Sequence, residues 1–325
     1  ALSVLPEAWT QAGSVFQDNP FIQKQLDRLK DNKKTLKQSS VGKQSTTFDP
    51  EKLEQGCPRQ DCIPSIDNPK FEPATEANTW LKDSDVIFGI NYKNVARAYP
   101  QRILNWHEIV NDTISNDPIA ITFCPLCGSA IAFERKVNGQ PVELGVSGKL
   151  FNSNLVMYDR IEKNYWQQLT GEAITGPASE RGEKLVQVSI STVSWGEWRK
   201  NFPDTQVLSK NTGLTRDYDR YPYGAYEEND EIYFGVENTD IRLKLKEVVY
   251  GFDVDGAYKA YPESAVNNDT EFEDKIGDQT VTVTRSPSGE VKLVEKKSQK
   301  EYLPLRTFWF AWASFHPDSE IYQGK

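Results

Sequence analysis

Asp85-Val86-Ile87-Phe88-Gly89-Ile90-Asn91, leading on to Ala96-Arg97-Ala98-Tyr99-Pro100, returns later in the chain as Glu247-Val248-Val249-Tyr250-Gly251-Phe252-Asp253 and Ala257-Tyr258-Lys259-Ala260-Tyr261-Pro262, offset by 162 residues. Each copy reads as a β-hairpin followed by a proline-led helix start. A second match closes each copy at an offset of 114: Trp195-Gly196-Glu197-Trp198 with Phe202-Pro203-Asp204-Thr205, against Trp309-Phe310-Ala311-Trp312 with His316-Pro317-Asp318-Ser319. An internal repeat of this kind points to two copies of one supersecondary unit.

The two offsets differ by 48 residues, so the first copy carries an insertion of about that length, expected near Leu144–Ser191. Ahead of it, Ala120-Ile121-Thr122-Phe123 pairs with Thr280-Val281-Thr282-Val283. At the common offset Cys124, Cys127 and His107 fall on Ser286, Gly289 and Asp269. One copy holds soft ligands and an insertion, and the other reads as scaffold. The expected fold is α+β and β-rich, with two divergent repeats. A helical leader and connector over 1–56, a first repeat over 57–225 and a second, degenerate repeat over 226–325 make up the chain.

The 325 residues include 38 Lys and Arg against 47 Asp and Glu, a net charge of −9 that offers no general attraction to phosphate backbones or anionic lipid. Nucleic acid is therefore not an expected partner. The uncharged stretch Phe308–Phe315 is far short of the roughly 20 residues that cross a bilayer. Ala1 is not an initiator and Met157 is the only methionine, so the start reads as a signal-peptide cleavage product and the chain as exported, periplasmic or extracellular.

Ile119–Phe123 reads as a buried strand, and Ile131–Val137, turning at Asn138-Gly139, as a hairpin. Cys124-Pro125-Leu126-Cys127-Gly128 then occupies a tight turn between strands. Three chemistries share that spacing. Two sulfurs converging on one point make half a metal site, and Gly128 frees the backbone to approach a thiolate. A redox dithiol uses the same spacing, though the β-rich Ile131–Val137 is a poor continuation for the helix such sites need. A buried structural disulfide is the bland alternative in an exported protein.

Further metal ligands are sparse. His107, in Asn105-Trp106-His107-Glu108-Ile109-Val110-Asn111-Asp112, is one of two histidines, and the pattern predicts a short helix just before the cysteine strand. Met157 lies inside the insertion, where it serves either as a ligand or as a filler of the core. One imidazole, two thiolates and a thioether select copper. Zinc on Cys124, Cys127, His107 and a carboxylate or water is the alternative. Cys57 and Cys62, in a proline-rich loop expected on the surface, read as a local disulfide or as the other half of a four-sulfur zinc site. Asn164–Ala173 reads as a cleft lining or a buried polar network, and Tyr218, Tyr221, Tyr223 and Tyr226 as a surface or interface loop.

Trp106–Asp112, Phe123–Ala130, Gly145–Gly148, Asn152–Arg160 and Gln168–Ala173 together make the chain resemble the domain-of-unknown-function family numbered 3179, from about Gly56 to the C-terminus. Those motifs contain His107, Cys124, Cys127 and Met157. The resemblance implies an exported protein and brings no activity with it. Cys57 and Cys62 depart from the family pattern, which implies a local disulfide.

Taken together, the residues predict an exported copper-binding protein that exchanges metal with a donor or acceptor protein or carries electrons. A thiol–disulfide oxidoreductase using Cys124 and Cys127, and a structural or interaction protein of a surface or filament with an inert disulfide or zinc, or with no cofactor, are the alternatives.

Overall fold

The structure is a computed structural model that describes residues 50–266 and 270–324. Glu54–Gln55 (β1), Phe71–Pro73 (β2) and the single-turn helix Ala74–Ala77 (α1) come first. The repeated stretch then forms the hairpin Val86–Tyr92 (β3) and Val95–Pro100 (β4), followed by the helix Gln101–His107 (α2). Ile109–Ile114 (β5), Asp117–Cys124 (β6) and Ser129–Glu134 (β7) make a meander.

The insertion supplies Lys136–Val137 (β8), Gln140–Pro141 (β9), Leu144–Phe151 (β10), Asn154–Asp159 (β11), Tyr165–Gln167 (β12), Ala173–Thr175 (β13) and the helix Pro177–Glu180 (α3). The first copy closes with Val186–Val188 (β14), Ser191–Ser194 (β15), the helix Trp195–Asn201 (α4) and Gln206–Leu208 (β16).

In the second copy the order is Val248–Val254 (β17), Ala257–Pro262 (β18), Thr270–Ile276 (β19), Gln279–Arg285 (β20), Val291–Glu295 (β21), Glu301–Tyr302 (β22), Leu305–Phe308 (β23), the helix Trp309–Phe315 (α5) and Glu320–Ile321 (β24).

These strands build five propeller-like blades. In the first copy β15-β3-β4-β16, extended by β2, forms one blade and β14-β7-β6-β5 another; β23-β17-β18-β24 and β19-β20-β21-β22 repeat both orders. Even the parallel pairing recurs, β16 on β4 and β24 on β18. Each copy thus contributes two blades, and the insertion, with β1 along its edge, is the fifth. The two hairpins turn on two residues of positive φ, Lys93-Asn94 and Asp255-Gly256, the backbone that matches strand twist. The structure shifts one equivalence: β6 and β20 align at the same 162 offset, so Ile119 and Ile121 correspond to Val281 and Val283.

The tryptophan helices explain two glycines. A Cβ on Gly89 would come 2.4 Å from the Trp198 ring, and one on Gly251 would come 2.2 Å from Trp312. Each indole therefore lies flat on a bare strand backbone. Trp198 Nε1 donates to Thr205 Oγ1 at 3.0 Å and Trp312 Nε1 to Ser319 Oγ at 2.8 Å.

A second duplicated device is ionic. Asp112 accepts from Arg97 and from the Tyr99 hydroxyl, and at the 162 offset Asp274 accepts from Lys259 Nζ at 2.7 Å and Tyr261 OH at 2.8 Å. In both copies a buried or part-buried carboxylate on the meander ties down the neighbouring hairpin.

Other expectations are corrected. The helix stops at His107 because the chain turns at Glu108 (φ 58), and Ile109–Ile114 continues as a strand. The second copy replaces that helix with the 3-10 turn Glu263–Ala265. The cysteine-rich loop lies only partly on the surface: Pro58, Arg59 and Gln60 are exposed, but Cys57, Cys62, Ile63 and Ile66 are buried, and Ile66 bridges Val110. Of the predicted leader only residues 50–56 fall within the described residues, with a 3-10 turn at Pro50–Lys52. The core around the cysteines draws on both copies, since Phe308 and Phe310 join Cys124, Cys127 and Met157 in it.

His316 occupies the place that Phe202 has in the first copy, its ring 4.2 Å from Tyr258 and 4.1 Å from Trp312, centroid to centroid. Burial lowers its pKa to about 4. A lowered folded pKa gives stability that is present above the unfolded value near 6.5 and is lost as pH falls toward 4. His316→Phe should therefore remove about 2 kcal/mol of the stability loss between pH 7 and pH 4, discounted for the partial exposure of the ring. Urea midpoints at the two pH values measure it, and an unchanged pH dependence would contradict the assignment.

Candidate functional site

Cys124 ends β6 and pairs with Ser129 at the start of β7, so Pro125–Gly128 must reverse the chain in four residues. Cys127 N donates to Cys124 O at 3.2 Å, and Gly128 takes φ 60. A Cβ there would sit 2.8 Å from the Phe308 ring, so both backbone and space demand glycine. The turn is held from the second copy: the Cys127 carbonyl accepts from Phe308 N at 2.8 Å and from Thr307 Oγ1 at 2.9 Å.

Both cysteines are free and buried. Their thiols point to one acceptor, the Ser153 carbonyl, which lies 3.9 Å from Cys124 Sγ and 3.3 Å from Cys127 Sγ. Ser153 belongs to the β10–β11 turn, where Asn152 and Ser153 both have positive φ. Asn154 next to it donates to Gln168 Oε1 at 3.0 Å. Gln168 in turn bonds Ser129 and Thr122, which makes Asn164–Ala173 the buried-network version of its two readings. Ser153 Oγ is buried without a hydrogen-bond partner. Burial pushes the Cys127 thiol well up, toward the protonated form.

Glu108, fully enclosed, accepts from Tyr223 OH at 2.9 Å, and burial raises its carboxyl to about 7. It is close enough for its charge to act on Cys127. His107 uses both ring nitrogens. Nδ1 lies 2.8 Å from the Pro64 carbonyl, which can only accept, so Nδ1 carries the hydrogen; Nε2 then accepts from Tyr218 OH at 2.7 Å. Burial lowers its pKa to about 4, so the ring is neutral.

Cys124 and Cys127 are thus brought together, and His107 is engaged by Pro64 and Tyr218. Met157, wholly buried, pairs with Val146 and Trp166 in the core. Three residues along β11 from Asn154, it faces the other side of that strand. Among the described residues no group of three or more His, Cys, Asp or Glu is placed to hold a metal ion. Cys57 and Cys62 lie at disulfide distance, Cα atoms 6.3 Å apart.

The tyrosines were missed as site residues. Tyr218, Tyr223 and Tyr226 are buried, and their hydroxyls end on His107, Glu108 and the Leu126 carbonyl at 2.8 Å. The only available signal was their density between the copies, since hydroxyl partners more than 90 residues away leave no local pattern.

Fold and site define a five-bladed, propeller-like protein with a sealed Cys-x-x-Cys turn on a blade of its first copy. Residues 60–303 match the family described as protein of unknown function (DUF3179), and the chain belongs to that family. No curated protein and no solved structure matches it. Among the described residues no helix is long and apolar enough to cross a membrane.

Proposed function

We propose that the chain is an exported copper-handling protein that takes copper(I) on the thiolates of Cys124 and Cys127. The observation that carries this reading is the convergence of two buried thiols on the single Ser153 carbonyl. Paired thiolates are the soft donors that select copper(I), and two of them suffice for it. Zinc asks for four donors, a set the described residues do not assemble around the pair.

The Cys57–Cys62 pair suits an oxidising compartment, where a thiol pair needs burial or a metal to stay reduced. The burial of Cys124 disfavours the oxidoreductase alternative, whose attacking thiol must be exposed. Loading would displace two thiol protons. The unpartnered Ser153 hydroxyl is the donor at hand for the thiolates. Delivery would pass the ion to a partner thiol by ligand exchange.

Reduced, metal-free protein titrated with copper(I) against a chromophoric chelator should bind about one ion per chain. Cys124→Ser and Cys127→Ser should each abolish competition with the chelator. His107→Ala and Met157→Leu decide the width of the ligand set: retained affinity in both leaves the cysteine pair alone, and loss in both, with the fold intact by circular dichroism, restores the four-donor set. Undiminished binding by the Cys124→Ser, Cys127→Ser double variant would sink the proposal.

A further inference from the structure

The segment 209–247 joins β16 to β17, and its only regular element is the 3-10 turn Tyr226–Glu228. Yet Tyr218, Tyr223, Tyr226, Tyr233 and Phe234 along it are buried in the same core as both thiols. Surface loops of this length without structure of their own are uncommon and are frequently lids. We infer that this segment is a strap closing the thiol pair from solvent, and that tyrosyl hydroxyls are its latches.

The other walls of the site are ladders. Thr307 and Phe308 hold Cys127 from within a strand paired to β17, and Ser153 sits in the turn joining β10 to β11. The strap is pinned at its ends by backbone bonds, from Ser209 N to the Lys70 carbonyl and from Trp309 N and Phe310 N to the Glu247 and Leu245 carbonyls, and between them it is fastened through side chains. Tyr226 OH donates to the Leu126 carbonyl inside the cysteine turn, and Tyr223 OH to Glu108, whose own carbonyl accepts from Phe123 N at 2.7 Å. Tyr218 OH holds His107, and Trp106 Nε1 donates to the Arg220 carbonyl at 3.1 Å. Lys246 Nζ closes the far end on the Tyr226 carbonyl, with its ammonium over the Tyr226 ring. Lifting the middle of the strap breaks side-chain bonds and exposes its buried aromatics but undoes no strand pairing, so it can open without disturbing the blades. The inference rests on the thiol pair being the working site, and it adds the regulation of access to it.

The test uses the full, metal-free chain with the Cys57–Cys62 disulfide intact, so that iodoacetamide can label only Cys124 and Cys127. At fixed pH without denaturant, Tyr223→Phe,Tyr226→Phe should be labelled about tenfold faster than the parent, the effect of removing two hydroxyl bonds from a local opening. Strap amides should exchange with deuterium about tenfold or more faster than those of β6. Equal labelling rates, or rates in both proteins that rise with urea as steeply as global unfolding does, would overturn the strap. So would strap amides as protected as β6. Because no copper is present, failure of metal binding would leave this result standing and remove only the function proposed above.

Discussion

Trp312→Ala should destabilise the protein by about 3–5 kcal/mol, because it removes a fully buried indole from a site that cannot collapse. The floor beneath the ring is the backbone at Gly251, fixed by strand pairing on both sides, so the void stays open. Trp198→Ala should cost a similar amount, since Gly89 plays the same part in the first copy. Filling the floor is no remedy: Gly251→Ala puts a methyl 2.2 Å from the ring and should itself cost about 1–3 kcal/mol through overpacking. Urea denaturation of the three variants measures this. A loss below about 1 kcal/mol for Trp312→Ala would mean that the ring is not the keystone of the blade.

Asp112→Ala should cost a further large amount, about 3–5 kcal/mol, as breaking a buried ion pair does. It strands the part-buried Arg97 guanidinium, whose Nε already lacks a partner, and the wholly buried Tyr99 hydroxyl. Asp274→Ala should cost less, about 2 kcal/mol, because Lys259 keeps the Lys275 carbonyl at 3.0 Å and Glu320 at 3.7 Å. Adding Arg97→Met and Tyr99→Phe to Asp112→Ala should recover most of the loss, since the penalty lies in the orphaned groups. If the triple variant is no more stable than the single one, the aspartate matters through packing instead.

The repeat, its 162 offset and the placement of the insertion were legible because hairpins and tryptophan helices carry local, alternating patterns that duplication copies intact. All three members of each ionic device also sat in plain view at that offset, Arg97, Tyr99 and Asp112 beside Lys259, Tyr261 and Asp274. What hid them was chemistry: arginine and lysine read as solvated charges until a buried carboxylate is known to face them. The propeller-like closure was not legible, because meanders of three or four strands suit many β architectures.

In the site, the Cys124–Cys127 turn followed from two strands and a glycine. The engagement of His107, the core position of Met157 and the burial of the tyrosines did not, since each depends on a contact with the strap or with a neighbouring strand of the inserted sheet. A lone histidine near a cysteine pair looks the same in sequence whether its nitrogens face a metal or a tyrosine.

The bonds from Thr307 and Phe308 to the Cys127 carbonyl span 180 residues of chain. Such a contact exists only once a loop of that length has closed. The thiol turn therefore stays unfinished, its sulfurs open to oxidant or metal, until the second copy has reached the first. Chain order thus grants the cysteines an exposed interval during maturation, and the rate at which the final blades dock sets how long it lasts.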